Sequence, residues 1–562
     1  MIDCEPENAW RHAYRHPGAW DQAFAPLSMV AMFDSAAAKG GKAPLIDFLG
    51  RHYSFAETLD GANRVAKGLK ALGYGPGDRI GLFLPNVPHY LAAYYGILKL
   101  GATVVNFSPL YSPAELAHQV ADSGTRALFT ISASALLPTA LKVLEESALE
   151  RLIVGSVAGA LPPGKSILYR LFSQKDVAKK PVDSRITAFS KLIDNDGKLP
   201  PVPIDPESDV ALIQYTGGTT GSPKGAMLTH QNLTANARQV NAIDPEPGME
   251  DRILGVLPLF HVFANTCVLN RTVVSGGCIV MLPRFNAAQA LAAIGRTRAT
   301  SLPGVPTMYQ ALLDHPKIGK TDFSCLRVCI SGGAPLPGEL RTKFEQVTKA
   351  RLVEGYGLSE SSGVVSANPY LGEGKTGTIG QPLPATRIRL VDKENPSLPV
   401  QAGEPGEILV AGPQIMKGYW NRPDADADVF VFDTDGTKWL RTGDVGQIDD
   451  DGFVKIVDRL KDMIAVGGFK VFPSQIEAVL YQHPAVKEAL VIGIPDSYRG
   501  EHPRAYVTLN EGADTTGEAL TAWLNPQIGK VEQVDAVVVR DTMPKTMIGK
   551  LSRKDLVAEV LG

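Results

Sequence analysis

A dense run of glycines, hydroxyl side chains and one lysine lies between Tyr215 and His230, with the sequence YTGGTTGSPKGAMLTH. Glycines let backbone N–H groups approach a polyphosphate closely, while hydroxyls add donors and a lysine adds positive charge. Hydrogen bonds to charged oxygens contribute about 1.5–3 kcal/mol each, so four or five of them hold a triphosphate. A Walker A loop ends in Lys followed by Ser or Thr, whereas Lys224 precedes Gly225, so this is a phosphate loop of another kind. The residues predicted to bind phosphate are Thr216, Gly217, Gly218, Thr219, Thr220, Gly221 and Lys224.

Six further short motifs follow this loop along the chain. They are PLFHVF from Pro258, SGGAPL from Ser331, EGYGLSE from Glu354, RTGD from Arg441, DRLKDMI from Asp458 and PKTMIGK from Pro544. Any one of them is weak evidence, but seven in the same order resemble the adenylate-forming (ANL) superfamily over residues 53–554. Among its branches, the chain is most similar to bacterial medium- and long-chain fatty acid CoA ligases.

This resemblance implies a two-step reaction that uses ATP, Mg²⁺ and coenzyme A as a co-substrate. A carboxylic acid attacks the α-phosphate of ATP to give acyl-AMP and pyrophosphate, and the acyl group then passes to CoA with release of AMP. Two alternatives of the same fold stay open: a ligase for medium-chain dicarboxylates such as pimelate, and a ligase that passes acyl-AMP to a carrier protein. A non-catalytic nucleotide sensor is a different class. It is disfavoured because the residues that the chemistry requires are present.

The resemblance also assigns the nucleotide and metal sites. Thr216 and Glu360 are expected to bring Mg²⁺ to the phosphates, because a site built from oxygen ligands suits this cation. Asp444 supplies a carboxylate that can accept both ribose hydroxyls, and Tyr356 supplies an aromatic ring for the base. The full set of other residues expected at the nucleotide is Gly332, Gly333, Ala334, Gly355, Gly357 and Arg459.

Lys550 is the residue expected to stabilise the charge that develops during adenylation, since it follows Gly549 in a segment near the C-terminus. The family is known for a lid that rotates between the two half-reactions. Lys461 occupies the hinge position, and Gly467 and Gly468 would leave room for the pantetheine arm of CoA.

The acyl pocket is predicted to start at His261, which either lines the carboxylate end of the pocket or is a core histidine satisfied by backbone. In a helix that starts there, Phe263, Cys267 and Arg271 follow at spacings of four and form one stripe. Arg271 would then lie about 15 Å from His261, where it could pair with a distal carboxylate. The competing interpretation is that Arg271 faces the last carbonyls of the helix.

Composition excludes other classes of protein. The 562 residues carry a net charge of −3 with no long basic run, so nucleic acid is not an expected partner. The sequence MIDCEPENAW shows no secretory signal, and five scattered cysteines fit a reducing cytoplasm. Peripheral membrane contact and a homodimer stay open.

The elements that must position these residues are predicted to be α/β. Helices and strands alternate early in the chain in a β-α-β rhythm, which is typical of parallel sheets covered by helices. The predicted elements are a helix over 56–72, a strand over 78–83, a helix over 90–100 and a strand over 103–106. Residues 173–203 are expected to form an irregular excursion, and residues 377–451 a small barrel-like sheet. We predict a large N-terminal domain of two stacked parallel α/β sheets plus a distorted β-barrel over 1–457, a hinge over 458–462, and a mobile α+β lid over 463–562.

Overall fold

The computed structural model describes residues 11–172, 176–216, 223–248, 250–393, 395–467, 469–496, 498–546 and 549–562, without the side chains of 170–172, 461, 469 and 470. Its strands are, in chain order, β1 (Pro44–Phe48), β2 (Arg51–Ser54), β3 (Arg79–Leu82), β4 (Thr103–Asn106), β5 (Ala127–Ile131), β6 (Arg151–Gly155), β7 (Ile186–Ala188), β8 (Val210–Thr216), β9 (Lys224–Thr229), β10 (Arg252–Gly255), β11 (Cys278–Met281), β12 (Ser301–Gly304), β13 (Val328–Ser331), β14 (Arg351–Tyr356), β15 (Ser366–Ala367), β16 (Gln381–Pro382), β17 (Arg387–Val391), β18 (Gly406–Ala411), β19 (Gly418–Tyr419), β20 (Phe430–Phe432), β21 (Lys438–Ile448), β22 (Val454–Arg459), β23 (Ile464–Val466), β24 (Phe469–Val471), β25 (Val486–Asp496), β26 (Gly500–Leu509) and β27 (Val537–Val539).

The α-helices are α1 (Met29–Gly40), α2 (Phe55–Ala71), α3 (Pro88–Lys99), α4 (Pro113–Ser123), α5 (Leu137–Glu146), α6 (Val157–Ala160), α7 (Pro163–Phe172), α8 (Phe189–Leu192), α9 (His230–Ala242), α10 (Val262–Ala264), α11 (Arg271–Ser275), α12 (Ala287–Thr297), α13 (Pro306–Leu313), α14 (Gly338–Thr348), α15 (Pro423–Val429), α16 (Pro473–Leu480), α17 (Gly517–Leu524) and α18 (Arg553–Leu561). A π-helix, Asn265–Asn270, joins α10 to α11. Among the described residues, no helix has the length and apolar character needed to span a membrane.

Two large sheets dominate the chain up to Pro382. The first has the strand order β19-β9-β8-β4-β3-β5-β6-β7, and the second has the order β16-β15-β14-β13-β12-β10-β11-β1-β2. Their central strands pair in parallel and are almost wholly buried, as in β5 and β11, which suits sheets covered by helices on both faces. Antiparallel strands complete one end of the first sheet and both ends of the second.

Two smaller sheets follow. β17, β18, β20, β21 and β22 form an antiparallel sheet where a small barrel-like sheet was predicted, and β23 to β27 form a separate sheet with α16, α17 and α18 beside it. This last part has its own apolar core, which includes Ile476, Val491 and Leu520. Independent cores of this kind are typical of separate folding units.

The α/β class is confirmed, and most element predictions lie within two residues of the observed bounds. β4 matches its predicted bounds, and the hairpin expected around Gly467 and Gly468 is formed by β23 and β24. The excursion predicted over 173–203 is partly wrong, because β7 pairs with β6 and extends the first sheet. Burial of Ile186 explains this pairing in a stretch that is otherwise polar.

Candidate active site

Asp444 lies at the centre of a cluster of three side chains between the strands β14, β21 and β22. The Tyr356 hydroxyl donates to Asp444 Oδ2, and the Arg459 guanidinium forms an ion pair with Asp444 Oδ1 at 3.0 Å. Burial and the charge of Asp444 raise the pKa of Tyr356 well above its usual value, so the phenol stays a donor. The structure thus brings together three residues that the sequence assigned to the nucleotide.

Two glycines beside this cluster are packed so closely against their neighbours that there is no room for a side chain. A Cβ on Gly332 would lie 3.0 Å from the Phe263 ring, and one on Gly357 would lie 2.1 Å from the Gly363 carbonyl oxygen. Gly333 has a φ of +78°, a conformation that favours glycine, and its exposed backbone continues into Ala334. These residues follow β13 and β14, whose carboxyl ends meet at one edge of the sheet. This edge is lined by backbone, and its role as a cradle for the adenine base stays a prediction.

Glu360 lies in a short 3₁₀-helix, Ser359–Ser361, that packs against β8 and β9. Its Oε1 accepts a hydrogen bond of 2.7 Å from the hydroxyl of Tyr419, and Lys224 Nζ lies 5.2 Å from the centre of the Tyr419 ring. Thr216 is the last residue of β8 and pairs with Lys224 across the hairpin. Among the described residues, no three His, Cys, Asp or Glu side chains group as a metal cage.

One carboxylate and one hydroxyl beside a phosphate loop fit Mg²⁺, because this ion is usually bound by one or two carboxylates together with substrate phosphates. The other phosphate-loop predictions, Gly217, Gly218, Thr219, Thr220 and Gly221, lie outside the described residues. Their roles stay predictions.

Lys550 lies in the predicted lid, beside a contact with the N-terminal part and at the predicted nucleotide cleft. Its carbonyl accepts from the Thr546 N–H at 2.6 Å, and the Gly549 carbonyl accepts from the Thr307 hydroxyl of the N-terminal part at 3.3 Å. Burial, with the nearby charge of Arg459, lowers the pKa of Lys550 to about 7, although Asp444 opposes this shift. The lysine therefore lies within electrostatic reach of the Asp444 cluster.

His261 is the N-cap of α10, where its Nδ1 accepts from the Phe263 N–H at 3.3 Å. Burial and the charge of Lys550 lower the pKa of His261 to about 4, so the ring is neutral at pH 7. The helix predicted to start at His261 is confirmed, and the backbone hydrogen bond matches one of the two sequence interpretations. The ring is half-buried and lies near Lys550. Its role at the acyl carboxylate stays a prediction.

Arg271 does not point into an open groove, so the prediction that it meets a distal carboxylate is wrong. Its guanidinium is buried against two carboxylates, pairing with Asp244 and, at 3.2 Å, with Asp251. The acyl groove expected beside this stripe is absent at Arg271, because all residues of the π-helix and Arg271 itself are buried. The alternative placement at the last carbonyls is not observed either.

The two other residues predicted for the acyl pocket, Cys267 and Phe263, pack in one apolar cluster. Cys267 is buried in an apolar cluster with Val240 and Ile330, and burial raises the pKa of its thiol to about 12. It is a core cysteine and does not line an open groove. Phe263 is partly buried against the same cluster, and its ring also lies against Gly332.

The residues predicted for the lid and hinge are only partly described. The Lys461 side chain and Gly468 lie outside the described part, whereas Gly467 has a φ of +57° and its N–H donates to the Arg499 carbonyl at 2.7 Å. Their roles at the hinge and at CoA stay predictions. Sequence reasoning missed Tyr419 and Thr307. The motif QIMKGYW contained a signal for Tyr419, but nothing marked Thr307.

Comparisons with known proteins identify the family of the chain. Family models described as "AMP-binding enzyme" and "AMP-binding enzyme C-terminal domain" match residues 33–420 and 475–550. A long-chain-fatty-acid–CoA ligase of Bacillus subtilis is 40% identical over 538 residues, 95% of this chain and 94% of its own length. A feruloyl-CoA synthase of an Amycolatopsis species is 36% identical over 508 residues, 90% of this chain and 94% of its own length.

A solved structure shows the same fold. ATP-bound MatB from Rhodopseudomonas palustris superposes with a TM-score of 0.81 at 27% identity, over 95% of this chain and 99% of its own. The chain therefore belongs to the AMP-binding enzyme family and is an AMP-forming acid–thiol ligase, an acyl-CoA synthetase that uses ATP, Mg²⁺ and coenzyme A.

Proposed function

We propose that the acid activated by this enzyme is a medium- to long-chain fatty acid. Similarity to a fatty acid ligase carries the choice of acid, while Lys550, within electrostatic reach of both Asp444 and His261, supports adenylation at this point. A lysine between the ribose-binding carboxylate and the start of the acyl pocket is suited to the point where the acid meets the α-phosphate. The 40% identity to a fatty acid ligase over nearly the whole chain supports the choice of acid.

In the first half-reaction, the chain contributes position and charge. Asp444, oriented by Tyr356 and Arg459, would accept the ribose hydroxyls, and the glycine cradle would hold the base. Thr216 and Glu360 would hold Mg²⁺, which neutralises phosphate charge when bound. Lys550 would donate to the carboxylate and the α-phosphate oxygens as negative charge moves toward the pyrophosphate.

In the second half-reaction, the lid over 463–562 would turn about the hinge over 458–462 and bring Gly467 and Gly468 to the cleft. Ion pairs of Arg553 hold the lid together and attach it to the hinge residue Asp462 during this motion. Arg553 pairs with Asp462 and with Glu477, each at 2.6 Å. The contacts to be broken include the Thr307 bond to Gly549 and the 2.9 Å bond from the Ser474 N–H to Asp458 Oδ2.

Two other classes of acid are weighed against the fatty acids. The argument for a dicarboxylate required a free Arg271, but Arg271 is already paired with two carboxylates. Aromatic acids are a competing class because of the similarity to feruloyl-CoA synthase.

A substrate panel tests the proposal. Octanoate, decanoate, palmitate, ferulate and pimelate should be compared by carboxylate-dependent ATP–pyrophosphate exchange and by thioester formation with CoA. We expect the highest kcat/KM among the linear monocarboxylates in both assays. A higher value for ferulate would replace the fatty acid assignment, and acyl-AMP formation without CoA-dependent turnover would indicate another acyl acceptor.

A further inference from the structure

Tyr419 is fixed between two residues that the proposed function places at the phosphates. Its hydroxyl donates to Glu360 Oε1 at 2.7 Å, and its ring lies under the Lys224 ammonium group at 5.2 Å. The side chain is buried, with 7% of its surface exposed. One aromatic residue therefore contacts both the end of the phosphate loop and the carboxylate assigned to the metal.

The backbone around Tyr419 is also fixed. β19 pairs with β9 so that Tyr419 lies opposite Ala226, and the Tyr419 N–H donates to Asp426 Oδ1 at 2.7 Å. The Met416 N–H donates to the Glu360 carbonyl at 2.8 Å, so the same segment also holds the Glu360 backbone. The backbone of Tyr419 and the hydroxyl group of its side chain are therefore both held in place.

We propose that Tyr419 is a positioning residue that sets the orientation of the Glu360 carboxylate for Mg²⁺, an inference that rests on the proposed function. A phenol is protonated at neutral pH and donates one hydrogen bond. By occupying Oε1, it leaves Oε2 without a hydrogen bond among the described residues and holds the carboxylate in one rotamer. Residues that hydrogen-bond to a metal ligand without touching the metal orient that ligand, and their loss typically weakens metal affinity by about 10–100-fold.

Tyr419→Phe tests this role, because it removes only the hydroxyl and keeps the ring beneath Lys224. The Kd for ATP should be measured by calorimetry across a series of Mg²⁺ concentrations and also in EDTA. We expect the Mg²⁺ concentration that gives half of the metal-dependent gain in affinity to rise by about 10–100-fold. ATP binding in EDTA should stay within about twofold of wild type, since the hydroxyl acts only through the metal.

Two further variants separate the explanations. Tyr481→Phe is the matched control: it removes a hydroxyl that accepts from the Ala489 N–H at 3.1 Å, in the core of the lid. Glu360→Gln tests the metal site itself, and thermal unfolding of all three variants checks that they fold.

The outcomes are distinct. If Glu360→Gln shifts the Mg²⁺ dependence while Tyr419→Phe behaves like Tyr481→Phe, Tyr419 has no positioning role and the metal site stands. If Glu360→Gln shifts nothing, the proposed metal site and the role of Tyr419 both fail. Equal weakening of ATP binding by Tyr419→Phe with Mg²⁺ and in EDTA would show a general structural role and overturn the inference.

Discussion

Replacing Arg271 by leucine should destabilise the protein strongly without changing its choice of substrate. Arg271 and Arg327 share two buried carboxylates: Asp244 and Asp251 each contact both guanidinium groups. The Asp244 side chain is 0% exposed and that of Asp251 is 2% exposed, whereas Arg327 is 30% exposed. Removing Arg271 leaves two buried negative charges with one partly solvated cation.

The size of the effect follows from this imbalance. Breaking a buried ion pair by removing one partner costs about 3–5 kcal/mol, because an uncompensated charge stays out of water. Leucine also leaves the space of the guanidinium partly empty, which adds to the loss. We therefore expect Arg271→Leu to lower the free energy of unfolding by about 3–5 kcal/mol.

Urea unfolding, followed by tryptophan fluorescence, measures this change through the transition midpoint at constant slope. Adding Asp244→Asn to Arg271→Leu removes one of the two buried charges and should recover part of the loss. Lys142→Leu is the surface control, since Lys142 and Glu146 are 3.8 Å apart and both 55% exposed; its cost should stay below about 1 kcal/mol.

The reasoning would be refuted if Arg271→Leu cost no more than Lys142→Leu. It would also fail if the variant lost pimelate turnover selectively while fatty acid turnover was retained, because Arg271 would then meet substrate. Activity should be expressed per folded enzyme, so that instability is not read as a change of specificity.

Three other perturbations have defined outcomes. Lys550→Ala should slow acyl-AMP formation by a factor of about 10²–10⁴, while thioester formation from supplied acyl-AMP survives much better; equal losses in both would remove Lys550 from adenylation. Lys461→Pro fixes φ at the hinge, so adenylation should persist while CoA transfer collapses, and full thioester activity would contradict the hinge assignment. Burial lowers the folded-state pKa of His16 and His230 to about 4 from 6.5, so the unfolded chain binds protons first as pH falls. Unfolding free energy should therefore fall between pH 6.5 and pH 4, by up to about 3 kcal/mol per histidine, and urea midpoints of His230→Gln should show a weaker pH dependence.

The sequence predicted the features that are determined by residues close together in the chain. β4 and the β23–β24 hairpin follow from short apolar runs between turn residues, and Asp444 and Glu360 were found because motifs preserve their neighbours. The partners of Arg271 could not be found in this way, because Asp244 and Asp251 lie at least 20 residues away in sequence and meet it only through packing. The π-helix was also missed, since all six of its residues are buried and no exposed face reveals the period of the turn.

The ion pairs on either side of the hinge limit where the chain can twist. Arg459 is held to the body by Asp444, and Asp462 is held to the lid by Arg553, so only Leu460 and Lys461 lie between the two attachments. Arg553 is three residues from Lys550 and belongs to the same body as Asp462. In the proposed rotation, the lysine leaves the cleft as soon as the lid turns. The proposed rotation would therefore separate the two half-reactions in time, with the change of direction confined to the short 3₁₀-helix that contains Leu460 and Lys461.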